Sequence, residues 1–167
     1  MKRPRDHIDA ILAQWQRERP DLNVTALGQL GRLLRAADLA DAALSGGLAE
    51  YNLQPGWFDL LAALRRAGVP FELNPTQLMD ATMLSSGGMT KRLDRLVEAG
   101  LVERRPDPDD RRGTLVRLTR RGKATIDRAV EAHVLNEERL LRSLAPAQRR
   151  QLDGLLRELL AGLERGA

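Results

Sequence analysis

Between residues 85 and 119 a segment of helical spacing gives way to two short alternating stretches, and this succession restricts the fold more than anything else in the chain. The segment opens on small residues and becomes basic, as Ser85-Ser86-Gly87-Gly88-Met89-Thr90-Lys91-Arg92. Leu101-Val102-Glu103-Arg104-Arg105 then alternates as a strand does, and Thr114-Leu115-Val116-Arg117-Leu118 alternates again. The connection, Pro106-Asp107-Pro108-Asp109-Asp110-Arg111-Arg112-Gly113, is a charged turn. A helix followed by an arginine-tipped two-stranded ribbon suits a DNA duplex. The helix enters one groove while the tip reaches phosphates or the neighbouring groove.

Charge supports this reading. The formal net charge is only +4, but residues 86–123 hold eleven Lys/Arg against six Asp/Glu, whereas the rest holds sixteen against seventeen. Clustering matters because every phosphate neutralised releases condensed counterions. On charge alone, a merely solvated basic surface is the alternative. The 167 residues suit one domain, or one domain with a helical extension, and 43% hydrophobic residues suffice for a core. There is no cysteine, which excludes disulfides and thiolate metal sites. No apolar run approaches the ~20 residues of a membrane span. No signal-type apolar block follows the basic N-terminus, so the expected location is cytoplasmic, without membrane association.

Helical periodicity accounts for most of the remainder. Ile8, Ile11, Leu12 and Trp15 share a face of a first helix that ends near Pro20. Thr25 is the expected cap of a second, with Leu27, Leu30, Leu33, Leu34 and Ala37 on its buried side and Gly46-Gly47 at its end. Gln54-Pro55-Gly56 opens a third, which aligns Trp57, Leu60, Leu61 and Leu64 before Gly68-Val69-Pro70. Asn74 caps a short fourth helix running to about Thr82. Met83-Leu84 forms a turn and Ser85 caps the fifth, whose inward residues are Met89, Leu93, Leu96 and Val97 and whose end is Gly100. The fourth and fifth make a helix-turn-helix.

Thr119 caps a long helix to about Leu144, in which His133 has a packing role. Pro146 begins a last, weakly capped helix with Leu152, Leu155, Leu156, Leu159, Leu160 and Leu163 in a stripe. Such a strip is either ordinary core or the contact with a second copy, and the expectation is a homodimer.

This order of elements resembles the multiple-antibiotic-resistance regulator (MarR) family, whose wing pattern is Asp-x-Arg-x-x-x-Val-x-Leu-Thr. Residues 110–119 match it throughout, from Asp110 and Arg112 to Val116, Leu118 and Thr119. The stretch from Ser85 to Leu101 also looks like that family's recognition helix. The resemblance implies a mainly α fold with a small β-wing, a winged helix-turn-helix whose N- and C-terminal helices form a dimerisation region. The expected divisions are 1–50 for dimerisation and a ligand pocket, 51–119 for DNA binding and 120–167 for dimerisation. It implies a transcriptional regulator, expected to be a repressor, that binds a palindromic operator in double-stranded DNA without any cofactor.

The expected DNA-binding residues are Ser86, Gly87, Gly88, Thr90, Lys91, Arg95, Asp110, Arg111 and Arg112. Ser86, Gly87 and Gly88 let the helix N-terminus approach phosphate closely. Two helical glycines cost about 1 kcal/mol each relative to alanine, so helix stability does not explain them; tight packing on the preceding helix is the other account. Thr90 and Lys91 are candidates for base edges or phosphate, and Arg95 for phosphate or a solvated role. Either Arg111 or Arg112 would enter the minor groove; the family pattern assigns this to Arg112, with Asp110 positioning it.

Trp15, Arg19-Pro20-Asp21-Leu22, Trp57-Phe58-Asp59 and the segment from Met89 to Leu96 resemble the urate-responsive branch of the family. By position, Trp15, Asp59 and Arg92 would line its ligand pocket. An indole stacks on a flat heterocycle and a guanidinium pairs with an anion. The second helix lacks the histidine that this branch often supplies. The effector is therefore urate, another planar anion or a phenolic compound. Trp15 is alternatively core, and Asp59 with Arg92 a structural ion pair.

No residue set with catalytic spacing is evident, so an enzyme is not expected. The rival is a winged-helix protein-interaction module in a dimeric scaffold that does not bind DNA; a regulator without a ligand pocket is a third possibility. The wing assignment predicts that Arg112→Ala weakens operator binding by ~1–3 kcal/mol while the circular dichroism spectrum stays native. A gel-shift titration checks this, and unchanged affinity would remove Arg112 from the interface.

Overall fold

A computed structural model describes residues 5–82, 88–110 and 113–166. The expected Met83-Leu84 turn, the Ser85 cap and the sites Ser86, Gly87, Arg111 and Arg112 lie outside the described residues. The fold is mainly helical with a small antiparallel sheet. It comprises α1 (His7–Glu18), α2 (Thr25–Leu48), a single 3-10 turn (Ala49–Tyr51), α3 (Pro55–Arg66), β1 (Glu72–Leu73) and α4 (Pro75–Asp80). There follow α5 (Met89–Glu98), β2 (Val102–Pro106), β3 (Thr114–Leu118), α6 (Arg120–Leu141) and α7 (Pro146–Gly166). Among the described residues, no helix is long and apolar enough to cross a membrane. The chain divides into two compact units, 1–43 and 44–167.

In the first unit, Asp6 and Asp9 form a reciprocal capping box at the start of α1. Both carboxylates also take the Arg32 guanidinium of α2, Asp6 at 2.7 Å and Asp9 at 2.5 Å. Leu12 and Ile8 of α1 lie against Gly28 and Gly31, where a Cβ would come within 2.8 and 3.3 Å of them. Gly28 and Gly31 of α2 thus face α1, and of the leucines expected on its buried side only Leu33 is half-buried. Leu27, Leu30 and Leu34 are 40%, 50% and 65% exposed, and Trp15 is exposed at 42%. Asn23, not Thr25, supplies the cap, its side-chain oxygen accepting the Thr25 N–H at 3.1 Å.

The second unit holds the core. Leu48, Leu53, Leu60, Leu61, Leu64, Leu78, Leu96, Val102, Val116 and Ile126 are buried there. Gly46-Gly47 does not end α2, which continues to Leu48. Burial of Leu48 outweighs two glycine penalties of about 1 kcal/mol each. The chain stops instead at Asn52, in the left-handed region at φ 54°. Asn74 and Gln77 form a second capping box at α4, as the Asn-Pro start suggested. Gln148 accepts the Ala145 N–H at 2.8 Å, so α7 is better anchored than its alanine start implied.

The sheet has the order β1-β3-β2, all antiparallel. The register sets Val102 opposite Leu118 and Pro106 opposite Thr114. Alternation places Val102, Val116 and Leu118 on the buried face. The third strand was not expected. It pairs Glu72 with Arg117 and Leu73 with Val116. Phe71 enters it at φ 64°, a costly conformation for a non-glycine residue. Its ring packs partly into the core and has the Arg65 guanidinium 5.1 Å and the Lys123 ammonium 5.6 Å from its centroid.

One contact fixes how α5 leads into the sheet. The Thr119 hydroxyl caps α6 by accepting the Gly122 N–H at 2.9 Å, and donates toward the Gly100 carbonyl at 2.8 Å. Gly122 then meets the Leu101 carbonyl so closely that a Cβ would overlap its oxygen. Gly122→Ala should therefore destabilise the chain by at least ~1–3 kcal/mol, the usual range for overpacking. Gly46 sits in α2 with nothing within 4 Å of a Cβ, so Gly46→Ala should stabilise by ~0.5–1 kcal/mol. Urea unfolding of the two variants checks the pair.

Candidate nucleic-acid interface

The amphipathic α5 divides its side chains cleanly. Met89, Leu93 and Leu96 are buried at i, i+4 and i+7, whereas Thr90, Lys91 and Arg95 are exposed. Val97, expected inward, is 38% exposed, because it follows Leu96 around the edge of the apolar stripe. Gly88 occupies the N-cap at φ 83°, a conformation that explains glycine there without invoking a ligand. Gly100 closes the helix at φ 66°, as its sequence suggested.

Beyond β2 the wing turn is held by its own backbone and an aspartate. The Asp107 N–H donates to the Gly113 carbonyl at 3.1 Å, and the Gly113 N–H to the Asp110 carbonyl at 2.8 Å. Asp107 also accepts the Asp109 N–H at 3.0 Å. A Cβ at Gly113 would lie 2.9 Å from the Asp107 Cβ and 3.1 Å from the Asp110 carbonyl oxygen. The turn therefore requires glycine at 113, on grounds of space rather than backbone angle. Asp110 is exposed at this turn.

Not all the clustered positive charge is available to a partner. Arg104 pairs with Asp94 of α5 at 2.8 Å, which ties the helix to β2. Lys123 and Arg65 both pair with Asp127 at 2.6 Å, and these bonds, Lys123's first, hold the Asp127 carboxyl below the usual range. Arg105 and Arg117 lie 3.9 and 4.0 Å from Glu72, whose Oε2 is buried and has no hydrogen-bond partner among the described residues. The Lys123–Asp127 pair is four residues apart on α6 and follows from helical spacing, whereas Arg65, Arg104, Arg105 and Arg117 meet carboxylates on other elements, which charge counting does not reveal. Among the described residues, Lys91 and Arg95 remain as the outward cations of α5.

The three expected ligand-binding residues fall in different places. Trp15 belongs to the first unit, and its indole is solvent-exposed, which rules out the core reading within this chain. Asp59 is partly buried on α3. Burial pushes its carboxyl above the usual aspartate range, against the opposing pull of His133, Arg66 and Arg92. Arg92 is thus electrostatically coupled to Asp59. Its side chain also packs over α3, where a Cβ at Gly56 would come within 3.0 Å of it. His133 packs against Phe58, ring centroids 4.5 Å apart, in keeping with a packing role.

Comparison with known proteins places this architecture. The MarR family profile matches residues 51–113, which span α3 to the wing turn. The HTH-type transcriptional regulator PecS of Dickeya dadantii is 40% identical, over 89% of this chain and 90% of that protein. The chain belongs to the MarR family. It is a MarR-family transcriptional regulator, and the comparisons place it among regulators rather than enzymes. A crystal structure of a mutant MarR from Escherichia coli complexed with operator DNA superposes with a TM-score of 0.71. It is 29% identical and covers 82% of this chain and 97% of its own. Bordetella bronchiseptica BpsR, whose structure concerns regulation of DNA binding by 6-hydroxynicotinic acid, gives a TM-score of 0.70 at 27% identity, over 83% of this chain and 95% of that one.

In this MarR-family chain the displaced titration of Asp59 has a defined sign. A carboxyl whose pKa is raised by folding favours the native state below its ordinary pKa and opposes it once pH exceeds the raised value. Asp59→Asn should therefore raise the melting temperature at pH 7. The gain should vanish as pH falls below about 3.9, the ordinary aspartate value. Thermal melts of both proteins across pH 3 to 8 check this.

Proposed function

We propose that this regulator binds a palindromic operator as a homodimer and represses transcription until a small planar anion releases it. The observation that carries the reading is α5 itself. Its apolar face is sunk in the core, so Thr90, Lys91 and Arg95 project as a rigid outward set beside an antiparallel ribbon. In this reading Ser86, Gly87 and Gly88 bring the helix start to the phosphate backbone. Thr90 and Lys91 contact base edges or phosphate, and Arg95 contacts phosphate. Arg112, positioned by Asp110, enters the minor groove, with Arg111 beside it on the backbone. The relative solved with operator DNA supports a DNA duplex as the partner.

Dimerisation is supported by α7. No residue of this helix is buried, and Leu155, Leu160 and Leu163 are 57%, 56% and 59% exposed. Exposed leucines in such number are covered economically by a second copy of the same surface. Residues 1–50 and 120–167 would then form the dimerisation region and 51–119 the DNA-binding part. Trp15, Asp59 and Arg92 are the residues proposed to sense a planar anion such as urate. The coupling of Asp59 to Arg92 and the exposed indole support this, as does the BpsR precedent with an aromatic acid. A ligand with unequal affinity for two arrangements of the recognition helices would shift their spacing and release the operator.

Selection of genomic fragments by the purified protein should return a palindrome with half-sites about one helical turn apart. Binding should fall steeply with salt, and Lys91→Ala and Arg95→Ala should each lower the slope of log K against log salt by about 1. Salt-independent or absent duplex binding would instead favour a protein-interaction module. Leu155→Lys combined with Leu163→Lys should shift sedimentation toward monomer and abolish operator binding.

A further inference from the structure

Both α4 and α5 meet the same stripe of α3. Gly56, Asp59, Ala63 and Arg66 stand at i, i+3, i+7 and i+10, which share one helical face. Ala63 is buried in the core and holds the middle of the stripe in place. At one end the Arg92 side chain of α5 lies over Gly56. At the other, Arg66 is the last residue of α3, and its Nη2 donates to the Ala81 carbonyl at 2.8 Å. The preceding residue turns elsewhere, since Arg65 pairs with Asp127 of α6. Two adjacent arginines thus bind the end of α3 to two different elements.

The carbonyl that Arg66 takes belongs to the C-cap of α4. The last carbonyls of any helix lack a partner within it, and a helix of six residues has little cooperativity to keep its end closed. The start of α4 is secured by the Asn74 and Gln77 capping box, and its middle by the buried Leu78. Its end draws on itself through the Ala81 N–H, bonded to the Gln77 carbonyl at 2.9 Å, and the Thr82 hydroxyl, bonded to the Leu78 carbonyl at 2.9 Å. The Arg66 guanidinium adds the tie to another element, and its charge suits the negative end of the peptide dipoles. Asp59, two turns back on the same face, is within electrostatic reach of Arg66, which favours a cation at this position.

We propose that Arg66 is a positioning residue for operator recognition, holding the C-terminal end of α4 on α3 and thereby setting where α5 begins, without itself touching the duplex. This role presupposes the operator binding proposed above. Ala81 precedes Gly88, the N-cap of α5, by seven residues, so the tie fixes the point from which the chain sets out toward the recognition helix. Contacts to base edges require placement within about 0.5 Å. A looser α4 end therefore lowers operator affinity, while the fold persists on its buried leucines.

Two variants of the full-length protein test this role. Arg66→Met removes donor and charge but keeps an unbranched apolar stem, whereas Arg66→Lys retains a donor and the charge. Arg66 is exposed, so both should stay folded, with native amide protection across α3 and α6. In the free protein, hydrogen exchange of residues 75–82 should be faster in Arg66→Met and close to wild type in Arg66→Lys. Fluorescence anisotropy with the fragment selected by the wild-type protein should show affinity about fivefold to tenfold weaker in Arg66→Met, the effect of one charge-assisted hydrogen bond. Arg66→Lys should recover most of it. The slope of log K against log salt should match wild type in both variants, because no phosphate contact is lost. A slope lower by about 1 in Arg66→Met would make Arg66 a direct phosphate contact and overturn the positioning role. Unchanged exchange, or faster exchange with unchanged affinity, would overturn it too. Wild-type protein that binds no duplex would remove the operator reading and this role together, whereas wild-type binding matched by Arg66→Met removes this role alone.

Discussion

The first turn of α6 is pressed against the backbone of Leu101 so closely that no side chain fits between them, and the Thr119 hydroxyl bridges the two segments. This contact sets the direction in which the chain leaves α5 and enters β2. With the Arg104 pair to Asp94, it makes helix and ribbon one rigid piece. The exposed face of α5 and the wing therefore keep a fixed spacing, which a surface that must match two features of a duplex at once requires. Were this joint loose, the same residues would still be exposed, but no longer in register with one another.

Electrostatics sorts the basic residues into two groups that composition alone does not separate. Lys123, Arg65 and Arg104 are held by carboxylates from other elements or from further along their own helix, and they stabilise packing. Exposed pairs of this kind contribute little individually, typically ~0–1 kcal/mol, but they fix where a cation points. Lys91 and Arg95 have the opposite circumstance, facing outward from a helix whose inner face is wholly apolar. Asp59 stands between these groups, partly buried and near several positive charges without being fully compensated.

The elements with strong local signals were legible in the sequence. Asn74-Pro75 with Gln77, Gly100 after the apolar stripe of α5, and Thr119 before α6 each act through neighbours within a few residues, so spacing alone revealed them. The two-residue strand β1 was not legible, because its pairing partner lies more than forty residues away. Gly46-Gly47 read as a terminator because propensity was weighed without the burial of Leu48 that overrides it. The buried side of α2 was misassigned for a related reason: its leucines have helical spacing, but α1 packs on the glycines between them. The family resemblance was legible from the wing pattern and agrees with the matched profile, whereas the individual contacts to DNA rest on that pattern and on exposure.

The wing turn carries three aspartates. Asp107, Asp109 and Asp110 stand beside the two arginines of the tip, so residues 107–112 carry a net charge of −1. A finger of that sign gains little from the diffuse field of an arbitrary duplex. In the proposed complex it would settle only where a guanidinium finds a groove narrow enough to outweigh the surrounding carboxylates. There the acidic collar would shorten the time spent on random sequence and leave the helix to supply general adhesion.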